Sequence, residues 1–200
     1  MRKKMMALTS MIIMMLVVSA CSMGGFKADH KYKIEDFDFE NQHNENVSLD
    51  DLKGTVWLAQ FVFTNCETVC LPMMANMTDL QKQLKDAGVE DYKLVSFSID
   101  PKTDTPEEMQ SYLDSFDPVD QSKWEMLTGY SQETIEKFAI GSFKTFVSKT
   151  PGNDQVIHGT AFSLVNKDGV SVKSYNGAEN VPYDQIIKDM KALIKTDQES

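Results

Sequence analysis

Along most of this chain the spacing of apolar positions names the element they build. Residues 55–64 (TVWLAQFVFT) are a continuous apolar, β-rich run, the pattern of a strand buried on both faces of a sheet. Leu71, Met74, Met77, Leu80 and Leu84 then recur three or four apart up to Gly88, which predicts an amphipathic helix over 70–87 with a glycine stop. Residues 93–99 (KLVSFSI) alternate as a second strand. Thr105-Pro106-Glu107-Glu108 opens a helix to about Phe116, with a capping pattern and proline at the first helical position. Residues 124–127 read as a short strand, and Ser131 as the cap of a helix to about Ile140. Residues 160–165 and 170–175 pair across Lys167-Asp168-Gly169, and the last helix runs over 183–195.

Two stretches are less regular. Residues 31–39 alternate and residues 46–52 look extended, so a hairpin is expected before the first long strand. Residues 141–157 show no clear period and carry Pro151, Gly152 and Asn153, so a long loop is expected there, of a length that often carries function. The order is hairpin, β-α-β-α-β-α, β-hairpin and helix, with no internal repeat. It predicts an α/β fold, a thioredoxin-like sandwich with an N-terminal hairpin and a β-hairpin addition near the C-terminus.

The first twenty residues differ in kind. Arg2, Lys3 and Lys4 precede a nearly all-apolar run over 5–18 and then Ser19, Ala20 and Cys21, the layout of an export signal. Fourteen residues fall short of the roughly twenty that span a bilayer. Val18-Ser19-Ala20-Cys21 resembles the lipobox of bacterial lipoproteins, which implies removal of residues 1–20 and acylation of Cys21. Residues 21–31, with Gly24 and Gly25, then read as a tether, on the outer face of the cytoplasmic membrane.

Loss of that segment removes three positive charges and takes the formal net charge from −10 to −13, which disfavours nucleic acid as a partner and draws in cations. With Cys21 assigned to the lipid, two of the three cysteines remain, Cys66 and Cys70, a close pair outside the cytosol and too few for a disulfide framework.

Those two cysteines follow the first long strand and precede a helix, where backbone N–H groups and the helix dipole favour a thiolate. Their i, i+4 spacing brings both sulfurs within reach of one ion or of each other, and does not choose between these uses. Three residues intervene, not the two of the familiar redox motif. His158 is the candidate third ligand, because it enters the C-terminal hairpin at a point that a thioredoxin-like fold places beside the first-strand cysteines. Two thiolates and an imidazole suit Cu(I), or Cu(II) with a fourth ligand from water or a carboxylate, better than zinc, which favours four firm ligands. Asp100 and Asp104, at the end of the second strand, are candidates to orient a ligand or meet a partner, or simply to cap a turn. Met73, Met74 and Met77 fit core packing better than a copper relay.

Over residues 32–195 the chain resembles the Sco family, also called SenC. The resemblance rests on Phe63-Thr64-Asn65-Cys66-Glu67-Thr68-Val69-Cys70, on Asp100-Pro101-Lys102-Thr103-Asp104-Thr105-Pro106, and on His158-Gly159-Thr160 before a hairpin with Asp168-Gly169. It implies a copper metallochaperone over 32–200 that binds one Cu(I) or Cu(II) ion through Cys66, Cys70 and His158 and serves the binuclear copper site of cytochrome c oxidase subunit II. Leu71 stands between Cys70 and Pro72 where the family has proline directly, so helix entry is expected to shift by a residue. The rival reading is a membrane-tethered thiol-disulfide oxidoreductase that uses Cys66 and Cys70 as a redox-active pair, reduces the oxidase copper-site cysteines and needs no His158. A peroxiredoxin fits poorly, since Thr64 lies two residues before Cys66 and no proline precedes it. A structural staple is unrewarding, since so short a loop constrains the unfolded chain little.

Overall fold

The computed structural model describes residues 26–66, 68–149 and 156–195. The export segment, Cys21 and residues 150–155 lie outside them.

A six-stranded mixed sheet forms the body, built on β4 (Val56–Val62), whose seven residues are all buried. Parallel to it runs β5 (Tyr92–Ser98), and beyond that β6 (Trp124–Leu127). On its other side lie β9 (Ala161–Val165), β10 (Val170–Asn176) and, at the edge, β1 (Tyr32–Lys33), each antiparallel to its neighbour. Alternation along β4 divides the core. Trp57 and Phe61 meet Phe97, and they meet Phe143 of α4 (Gln132–Phe143), in an aromatic cluster. Gln60 points the other way, its amide donating to Met74 Sδ of α2 (Cys70–Asp86) at 3.1 Å. The last helix, α5 (Tyr183–Lys195), packs on α2 and β4. Helix α3 (Pro106–Asp114) starts at the Thr105 cap.

Four sequence expectations change. The N-terminal hairpin is present as β2 (Asp38–Glu40) and β3 (Asn46–Ser48), but the extended stretch ends there. Ser48 and Asp51 close a reciprocal capping box that starts the short helix α1 (Leu49–Leu52). Helix α4 does not end at Ile140. Gly141 lies inside it, next to the Glu35 carboxylate, and the stop falls at Lys144, which is left-handed with φ 55°. The stretch expected to be loop holds a two-stranded hairpin, β7 (Val147–Lys149) and β8 (Val156–His158), paired only with itself among the described strands. Residues 26–31, expected within the tether, lie against β10: Asp29 N–H donates to the Val172 carbonyl at 2.9 Å, and His30 Nε2 sits 3.1 Å from Ser171 Oγ.

Candidate metal centre

At the C-terminal end of β4 the chain leaves the sheet and turns through Phe63, Thr64 and Asn65 to Cys66, and helix α2 begins only at Cys70. The two cysteines therefore do not share a helical turn. Their proximity comes from the connecting loop, in which Cys70 N–H donates to Cys66 Sγ at 3.3 Å. Pro72 falls in the first turn of α2, where a missing N–H costs nothing, so the intervening Leu71 is accommodated. Leu71 itself projects outward.

Both sulfurs are buried and neither is in a disulfide. A hydrogen bond from Cys70, helped by His158 and the Thr68 and Cys70 amides, holds the Cys66 thiol well below the ordinary thiol range against the opposing effect of burial. The same Cys66 contact, reinforced by burial, pushes Cys70 up. The opposed directions make the two thiols unequal, Cys66 the readier thiolate and Cys70 the one that holds its proton. Binding a metal to both sulfurs must release a proton from Cys70.

His158 reaches the pair from the last position of β8. Its Nδ1 lies 2.9 Å from the Gly159 carbonyl oxygen, which can only accept, so Nδ1 carries the proton. Nε2 is the nitrogen that faces the sulfurs, 3.4 Å from Cys70 Sγ, and in the neutral ring with the proton on Nδ1 it is the one that offers a lone pair to a metal. The buried Phe63 ring sets the imidazole edge-on, at 83° and 6.2 Å between centroids. The ligand atoms of Cys66, Cys70 and His158 lie within 4.8 Å of one another. Metal–sulfur bonds of about 2.3 Å hold two ligands of one ion no more than about 4.6 Å apart, so the set needs only slight closure. Two soft sulfurs and one neutral imidazole nitrogen fit a copper ion.

Neither acid of the following turn belongs to this donor group. Asp104 is fully buried and accepts from Thr64 N–H at 3.1 Å, from Thr64 Oγ1 at 2.6 Å and from Ser98 Oγ. It fastens the cysteine loop to the end of β5. Asp100 accepts from Thr103 Oγ1 at 3.1 Å and pairs with Lys149 Nζ at 2.6 Å. Lys149 escaped the sequence reading because a three-residue strand shows no period. Met73, Met74 and Met77 are fully buried in the core. His43 lies in the turn between β2 and β3, and His30 packs on Tyr32, both apart from the donor group.

Known proteins give this geometry its context. The SCO1/SenC family model matches residues 27–195. The SCO1 protein homolog of Bacillus subtilis is 49% identical over 180 residues, covering 90% of this chain and 92% of that protein. The crystal structure of a SCO1/SenC family lipoprotein from Bacillus anthracis superposes with a TM-score of 0.79 at 46% identity, over 84% of this chain and 99% of that one. BsSco, described with a disulfide switch as a member of the Sco family of cytochrome c oxidase assembly proteins, gives 0.76 at 51% identity, over 83% and 95%. Bradyrhizobium japonicum ScoI with copper bound gives 0.67 at 28%, over 81% and 99%. Match over nearly the whole described chain, together with the thioredoxin-like sandwich, makes this chain a member of the SCO1/SenC family.

Proposed function

We propose that this protein is a copper metallochaperone. It binds one copper ion, as Cu(I) or Cu(II), through Cys66, Cys70 and His158, and delivers it to the binuclear copper site in subunit II of cytochrome c oxidase. The observation that carries the reading is the convergence of three donor atoms from two distant segments, with the imidazole oriented so that Nδ1 meets the Gly159 carbonyl and Nε2 faces a sulfur. The copper-bound relative and the oxidase assembly role of BsSco support it. The metal supplies no chemistry to a bound substrate here; it is the cargo. Cys66 offers a ready thiolate, Cys70 gives up a proton on binding, and His158 closes the set from the end of β8.

Delivery is placed at the outer face of the cytoplasmic membrane by an acylated Cys21, in keeping with the lipoprotein of Bacillus anthracis. Among the described residues no helix is long and apolar enough to cross a membrane.

A second reading is favoured by the unequal thiols and by the disulfide switch of BsSco. The Cys66 thiolate attacks a disulfide of the oxidase copper site and expels one target thiolate. Cys70 then loses its proton and attacks the Cys66 sulfur, freeing the second target thiolate. Two electrons pass to the target, and this chain is left with a Cys66–Cys70 disulfide.

His158→Ala separates the two. The copper reading predicts at least about a hundredfold loss of Cu(I) affinity in competition with a chromogenic chelator, and loss of oxidase assembly. Unchanged affinity and full assembly in that variant would leave only the exchange reading standing.

A further inference from the structure

His158 stands at the end of a hairpin that does not pair with the main sheet. Strands β7 and β8 pair with each other and with no other described strand, and the chain enters β9 through Gly159 and Thr160, so on the β7 side the imidazole is held over the sulfurs by whatever ties this hairpin to the body. The buried side chains of Val147 and Val156 supply the apolar part. The polar part gathers on one residue. Lys149 N–H donates to Glu136 Oε1 of α4 at 3.1 Å, and Lys149 Nζ pairs with Asp100 Oδ1 at 2.6 Å. The Asp100 side chain is only 4% exposed and that of Lys149 25%, so this is a shielded pair, unlike an ordinary surface bridge.

Register gives the pair its meaning. Lys149 lies opposite Val156, two residues before His158, and Val147 lies opposite His158, so all four side chains fall on the inner face of the hairpin. Asp100, for its part, begins the tight turn that ends in Asp104: the N–H groups of Thr103 and Asp104 both donate to the Asp100 carbonyl. Asp104 grips Thr64, two residues before Cys66. One short turn thus holds the histidine segment with its first acid and the cysteine segment with its last.

Resting on the copper reading above, we infer that Lys149 is a positioning residue for the metal site. Its ion pair with Asp100 sets the distance from His158 to Cys66 and Cys70. The turn over 100–104 is the bracket between the two halves of the site. Lys149 does not touch the metal; it acts through His158.

The test is a double-mutant cycle on the full-length chain in detergent, read by Cu(I) competition with a chromogenic chelator. Lys149→Met lowers affinity by about tenfold, and Lys149→Arg restores most of it. In a His158→Ala background, Lys149→Met changes affinity by less than about twofold, because the group it positions is gone. Loss of the same factor in both backgrounds, or no loss in the wild type, overturns the inference. Should Lys149→Met fail to fold with its buried carboxylate unpaired, Lys149→Met/Asp100→Asn leaves no unpaired charge and carries the same expectation. A metal-free arm separates this inference from the copper reading. Amide hydrogen exchange over 147–149 and 156–158 speeds up in Lys149→Met, while exchange in β4 and α2 does not change. A wild type that holds no copper refutes the copper reading alone, and unchanged hairpin exchange refutes the bracket.

Discussion

Asp104 illustrates how a buried acid records its surroundings. Burial raises its pKa above the ordinary carboxylate value and outweighs the hydrogen bonds from Ser98 and Thr64 that oppose it. The folded chain therefore keeps a proton on Asp104 at pH values where the unfolded chain has released it. That contribution to stability is fully present below the ordinary value and is lost as pH rises through the raised one. Asp189, lowered by Lys173, Gln185 and Tyr175 against burial, has the opposite sign, so the informative quantity is a difference between variants. In chemical denaturation, the stability of the wild type minus that of Asp104→Asn should fall as pH rises from about 4 and then level off. A difference independent of pH would contradict the burial assigned to this carboxylate.

Elements were legible where one physical cause dominated. The unbroken apolar run of β4 and the three-to-four spacing of α2 each left one solution, and both elements lie where their patterns put them. Met77 belongs to that helix pattern: fully buried and unconnected to the donor group, it should tolerate Met77→Leu at a cost below about 1.5 kcal/mol. Copper affinity should stay within about twofold of the wild type in the same competition assay, and a large loss would give the methionines a part in metal handling. Elements were misread where two signals competed. Ser48-Leu49-Asp50-Asp51 carries a capping box that was legible but yielded to the extended pattern around it. Gly141 resembles a helix stop, yet the helix runs through it to the left-handed Lys144, a position whose residue type gives no such signal. The hairpin β7–β8 is too short for any period to show.

At the scale of the molecule the site exists only because the fold returns the chain to the end of β4. Cys66 and Cys70 were legible as a reactive pair from their place between a strand and a helix. His158, 88 residues beyond Cys70, was legible only through the expected topology. Lys149 was not legible, since its role depends on a hairpin packed against a turn nearly fifty residues earlier in the chain. Only the folded chain presents all three donors together, so copper should bind the folded state in preference to the unfolded one. The most direct measurement is X-ray absorption at the copper edge on the full-length chain loaded with one equivalent of Cu(I). Two sulfurs and one nitrogen in the first coordination sphere are predicted, with the nitrogen lost in His158→Ala. A sphere of sulfur alone, or a nitrogen that persists in that variant, would contradict the three-residue site.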